Sequence, residues 1–249
     1  DPANTATLAV AIEPARYGMV LVLDRSGSMS SSLGGGMSKW NASVRAAHAW
    51  ADLFRAFRPG GDHVAGIVTF ENDSGGWTLS AADDVTFRNP ASGAQIPGAT
   101  PLEALSSMGA VTTWNLGTPQ SLTPVGDALV TAWKALGAHL TADDLATVVL
   151  MTDGYENAGA VTIAASQGNA AATFEATRKN DLHKAANAIV GDRLFTLALG
   201  TQVDDDRLNT LGSGYYQQIT TSVDEVTPAF AAMLGHTLHA QPLMPQAPM

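Results

Sequence analysis

Short apolar runs without a polar break alternate along this chain with longer stretches in which apolar residues recur every three or four positions. Tyr17 to Asp24 reads YGMVLVLD. An unbroken apolar run ending in an acid predicts a strand covered on both faces, because a half-exposed strand would alternate with polar residues. Asp62 to Phe70 (DHVAGIVTF), Leu145 to Asp153 (LATVVLMTD) and Arg193 to Leu199 (RLFTLAL) repeat the pattern. Between them the period becomes helical. From Ser38 to Phe57 the apolar residues Trp40, Val44, Ala47, Ala51 and Phe54 step by four, three, four and three, along one helical face, before Pro59-Gly60-Gly61 stops the helix. Val125 to Leu136 aligns Val125, Leu129, Ala132 and Leu136 in the same way. Further helices are expected at Asn180 to Val190, near Asp204 to Leu211 and at Val223 to Leu238, with a short strand at Tyr215 to Gln218.

The remaining segments are less periodic. Gly76 to Arg88 is expected to supply an edge hairpin partner, and residues 89–122, rich in Gly, Pro, Ser and Thr, to hold one short helical piece near Leu102 to Met108. Thr5 to Glu13 reads as a strand-like lead-in. Residues 1–14 are thus expected to be a linker, 15–238 one domain, and 239–249, with three prolines and no core pattern, a tail. Strands alternating with helices predict an α/β domain with a mostly parallel central sheet and helices on both faces. Ligands of such sheets bind beyond the carboxyl ends of the strands. Asp24 and Asp153 end two strands and therefore fall on that rim.

Composition narrows the chemistry. The 249 residues are 45% hydrophobic, enough for one full core. The net charge of −10 argues against nucleic-acid or anionic-membrane binding and favours attraction of cations. The absence of cysteine removes disulfides, thiolate metal sites and cysteine nucleophiles. No apolar run reaches transmembrane length, so no direct membrane insertion is expected in this segment. The chain begins with Asp1 rather than methionine, which leaves room for a processed leader.

The segment richest in chemistry is Asp24-Arg25-Ser26-Gly27-Ser28. A carboxylate and two hydroxyls at alternating positions can turn toward one point above the sheet edge, and Gly27 permits a tight bend between the serines. Hard oxygen donors suit Mg²⁺, Mn²⁺ or Ca²⁺ rather than zinc or copper. The plainer alternative is a serine-rich turn with Asp24 capping local amides. Ser26 as a hydrolase nucleophile lacks the Gly-x-Ser-x-Gly elbow, and no histidine sits in a motif that marks it as a base. Asp204-Asp205-Asp206 lacks the spacing of a calcium loop and reads as a helix start, and Gly34-Gly35-Gly36 lacks the Lys-Ser/Thr of a phosphate loop.

Val22 to Met29, VLDRSGSM, resembles the Asp-x-Ser-x-Ser signature of von Willebrand factor A domains. In that family the signature opens a metal-ion-dependent adhesion site, completed by a threonine from a second loop and an aspartate from a third. Thr123-Pro124-Val125-Gly126-Asp127-Ala128-Leu129 is similar to the family's threonine loop, although Ser121 and Leu122 stand where two glycines are common. Met151-Thr152-Asp153-Gly154 matches the third element. Thr100-Pro101-Leu102-Glu103-Ala104-Leu105 is a decoy without the glycine, and the spacing to Asp153 favours Thr123. The resemblance implies a Rossmann-like three-layer fold with an antiparallel edge strand. It also implies metal contacts from Ser26, Ser28 and Thr123, with Asp24 and Asp153 acting through waters or holding the hydroxyls. A protein partner's carboxylate would fill the open metal position. The implied role is metal-dependent binding rather than catalysis, in one module of a larger surface or secreted bacterial protein. An intracellular adaptor working with an AAA+ ATPase or a metal chelatase is the alternative, and a serine hydrolase the less favoured one.

Overall fold

The computed structural model describes residues 16–57, 63–71, 85–96, 103–104, 108, 113–120, 122–140, 144–154, 158, 194–211, 215–220 and 222–239. The order is β1 (Tyr17–Asp24), a 3-10 turn (Gly27–Ser30), β2 (Ser32–Gly34), β3 (Met37–Ser38), α1 (Lys39–Phe57), β4 (Val64–Phe70), β5 (Val85–Phe87) and β6 (Glu103–Ala104). Then come α2 (Val125–His139), β7 (Leu145–Thr152), β8 (Leu194–Leu199), α3 (Asp205–Leu211), β9 (Tyr215–Ile219), a 3-10 turn (Val223–Glu225) and α4 (Val226–His239). The main sheet runs β5-β4-β1-β7-β8-β9. All pairs from β4 to β9 are parallel, and β5 lies antiparallel on the edge.

The unbroken apolar runs are explained by burial on both sides. All eight residues of β1 are buried. Tyr17, Met19, Leu21 and Leu23 join a cluster with Trp50 and Phe54 of α1 and with Phe230 and Met233 of α4. Val20 and Val22 point the other way, into a cluster with Leu129, Trp133 and Leu136 of α2. Period-two alternation therefore divides one strand between two cores, each fully buried large side chain contributing about 1.5–3 kcal/mol.

This layering creates the crevice. β1 is flanked by β4 on one side and β7 on the other, and α1 and α2 cover opposite faces. The chain passes from β1 to β4 on one side and from β7 to β8 on the other, so the connections part above the carboxyl ends of β1 and β7, which is where open α/β sheets hold ligands.

Several local expectations change. Glu103 and Ala104, expected within a short helix, form β6 against Ala65 and Val64. β5 covers only Val68 to Phe70 of β4, and the open backbone groups at the other end of that edge outweigh weak helical propensity. Gly34, Gly35 and Gly36 form the β2–β3 hairpin tip, with φ of 116°, 61° and 76°, a conformation open to glycine alone at little cost. Asp205 and Asp206 sit in the first turn of α3, as helix-start acids should. The expected helix at Asn180 to Val190, the lead-in, residues 240–249 and Thr100 lie outside the described residues. Among the described residues no helix is long and apolar enough to cross a membrane.

Candidate metal centre

Asp24 ends β1 and is fully buried. Its Oδ1 accepts the N–H of Ser26 at 2.7 Å, a local turn that folds the chain back over the rim. Parallel pairing of Leu23 with Met151 sets Thr152 beside it, and the Thr152 hydroxyl donates to Asp24 Oδ2 at 2.5 Å. Asp24 thus locks the two strand ends together. Asp153 is the first residue past β7. Ser28 Oγ donates to its Oδ1 at 2.6 Å and lies 3.1 Å from Ser26 Oγ. Lys39, the first residue of α1, places Nζ 2.6 Å from Asp153 Oδ2.

Thr123 enters from the loop before α2. The N-cap position of that helix is Pro124, which has no side-chain oxygen, so the threonine is not the cap residue. A Cβ added at Gly154 would lie 3.6 Å from Thr123 Oγ1 and 3.8 Å from Ser28 Oγ, so the two hydroxyls flank this glycine. All five residues singled out in the sequence meet on one rim. Ser28, Thr123 and Asp153 border a cleft of about 680 Å³ that Lys39, Thr201 and Gln202 also line.

The rim is electrostatically unbalanced. Burial raises the Asp24 carboxyl from its ordinary 3.8 to about 6, the hydrogen bonds from Thr152 and Ser26 oppose the rise, and the neighbouring Asp153 adds to it. A cation at this point would relieve the cost of the buried anion. The donor chemistry fits a hard divalent ion. Oxygens adjacent in a six-coordinate Mg²⁺ shell at about 2.0–2.1 Å lie about 3 Å apart, close to the 3.1 Å between the two serine hydroxyls. Among the described residues no group of three or more His, Cys, Asp and Glu side chains is placed to hold a metal ion, so an ion here would rest chiefly on the hydroxyls.

Sequence reasoning missed three supports. Thr152 was legible only as one of two threonines in an otherwise apolar strand. Lys39 was legible only as one of four lysines in 249 residues. Arg25, the unspecified residue of the motif, forms a buried ion pair with Glu71, while its N–H donates to Phe70 O at 2.8 Å and its carbonyl accepts from Gln120 N at 2.7 Å. With Trp40 Nε1 donating to Gly117 O at 2.9 Å, these bonds hold the segment that leads to Thr123.

Ser26 Oγ pairs with Ser28 Oγ. His63 Nδ1 accepts the N–H of Tyr17 at 3.1 Å, at the opposite end of β1 and about 20 Å from Asp24 by strand rise. His48 packs edge-on against Trp114, at 5.3 Å between ring centroids, and that tryptophan belongs to the core.

No protein-family model matches the sequence, and comparison with curated proteins returns no match. Solved structures do match. A von Willebrand factor type A protein from Catenulispora acidiphila superposes with a TM-score of 0.54 at 12% identity, over 90% of this chain and 43% of that one. The PilB minor pilin from Streptococcus sanguinis gives 0.59 at 14%, over 94% and 65%. The conserved hypothetical protein BatB from Bacteroides thetaiotaomicron gives 0.53 at 13%, over 88% and 98%. The chain spans less than two thirds of the length of the first two. At these identities the likeness establishes the fold, which is that of von Willebrand factor A domains.

Proposed function

We propose that this domain is a protein-binding module that holds Mg²⁺, or Mn²⁺ or Ca²⁺ in its place, and presents it to an acidic residue of a partner. The observation that carries the reading is the meeting of Ser26, Ser28, Thr123 and Asp153 above Asp24 at the β1–β7 crevice. Ser26, Ser28 and Thr123 would hold the ion through neutral hydroxyls. Asp24 and Asp153 would orient those hydroxyls and bridging waters. A bound ion with so few anionic ligands supplies an electron-poor, open coordination position that a partner's carboxylate can fill. The role is binding without catalysis, in a module of a larger surface or secreted protein. Neighbours that are themselves longer chains, a minor pilin among them, support that setting.

Thermal unfolding of the EDTA-stripped protein, titrated with each metal beside Asp24→Ala, tests the reading. A ligand bound only by the folded state stabilises it by about 2.7 kcal/mol at a hundred times its Kd. The wild type should melt higher with metal, and the variant should not respond. An unresponsive wild type refutes the metal reading.

A further inference from the structure

We infer that Lys39 is a tethered cation that occupies the Asp153 carboxylate in the metal-free protein and has to be displaced when a divalent ion enters, so that it sets the affinity of the site for metal. The inference rests on the metal reading above and goes beyond it, because Lys39 belongs to none of the three motif elements.

Both oxygens of Asp153 are engaged, Oδ1 by Ser28 and Oδ2 by the Lys39 ammonium at 2.6 Å, and the Asp153 side chain is fully shielded. A divalent ion that draws on Asp153 competes directly with that ammonium. The placement of Lys39 runs against local preference. It opens α1, and a cation at a helix N-terminus meets the positive end of the macrodipole. What holds it is the anionic rim. Its backbone is fixed, the N–H donating to Ser31 O at 2.9 Å and the carbonyl accepting from Ser43 Oγ at 2.9 Å, whereas its side chain is a flexible four-carbon arm.

The fold also clears a path for that arm. Gly200, just past β8, has φ of 101°, and a Cβ there would come within 3.0 Å of both Cε and Nζ of Lys39. Any other residue would crowd the ammonium. The cleft beside it, bordered by Thr201 and Gln202, gives the displaced ammonium somewhere to go. In the metal-free state Lys39 neutralises one of two closely placed buried carboxyls, a service that a bound ion would take over.

Mn²⁺ binding to the wild type and to Lys39→Met, measured by isothermal titration, is the test, with melting of both proteins in EDTA and in saturating Mg²⁺ alongside. The variant should bind Mn²⁺ at least about fivefold more tightly. It should melt lower than the wild type in EDTA and lose that deficit in Mg²⁺. Lys39→Gln carries the same expectation if the methionine variant folds poorly. Unchanged or weaker binding by a folded variant overturns the inference and leaves the metal reading standing. So does a melting deficit that persists in Mg²⁺, which would make Lys39 an ordinary structural residue. Absence of Mn²⁺ binding in wild type and variants alike removes the metal reading and this inference together.

Discussion

Two buried ion pairs share the rim of this sheet, Arg25 with Glu71 and Lys39 with Asp153, and they differ in everything except charge. Arg25 is held at its backbone and at the tip of its guanidinium. Its backbone is bonded on both sides, and Gly117 approaches so closely that a Cβ there would lie 2.3 Å from Nη1. Lys39 reaches Asp153 by a flexible arm at the border of an open cleft, beside three hydroxyls able to hold another cation. One pair braces the loops of the site. The other lies inside it. A buried ion pair thus says little by itself, and the neighbours decide whether it is a fixture or a placeholder.

The largest effect should come from breaking the braced pair. Glu71→Ala leaves a buried guanidinium without its carboxylate, which costs about 3–5 kcal/mol. Chemical denaturation should report that loss, while Mg²⁺ still raises the melting temperature of the variant, because no hydroxyl of the site has been touched. If the metal response disappears with Glu71, the two pairs form one unit and the comparison fails.

The second effect concerns Asp24, the anion beneath the placeholder. Its folded pKa, about 6, lies above the ordinary 3.8. Between these values the folded state binds more protons than the unfolded one, so stability must fall as pH rises through that window. The full penalty, on the order of 3 kcal/mol, is present above about pH 6. Denaturation in EDTA at pH 4 and pH 7 should show a drop of that size in the wild type that is missing from Asp24→Asn. Equal pH dependence in the two proteins would mean that Asp24 ionises without cost.

The fold was legible because it rests on periodicity. The runs at Tyr17 and Leu145 had to be covered on both faces, and the four-three steps of α1 had to face a core, so the layers followed from the sequence. Asp24, Ser26, Ser28, Thr123 and Asp153 were legible because each lies in a short motif at a strand or helix end. Their supports were not. Lys39 follows a hairpin whose direction depends on the φ of three glycines, and no local rule aims its arm at an aspartate 114 positions away. Arg25 and Glu71 are joined by strand register alone. β6 was misread because pairing along an open edge depends on where β5 stops, which neither segment encodes by itself.

The smallest stability effect should separate bracing from binding most cleanly. Ser28 donates to Asp153 and stands 3.1 Å from Ser26, at the centre of the hydroxyl set. Ser28→Ala removes two side-chain hydrogen bonds, to Asp153 and with Ser26, while Lys39 still pairs Asp153, so the metal-free protein should lose only about 1–2 kcal/mol. The same change deletes one of the proposed metal contacts and the group that orients Asp153. Losing a group that merely orients a ligand commonly weakens metal binding by roughly 10–100-fold, so Mn²⁺ affinity should fall at least roughly tenfold. Set beside Glu71→Ala, this gives opposite signatures, large stability loss with binding kept against small stability loss with binding impaired. If Ser28→Ala is instead strongly destabilising in EDTA, the hydroxyl set is part of the brace, and the rim is one structural network rather than a brace around an exchangeable site.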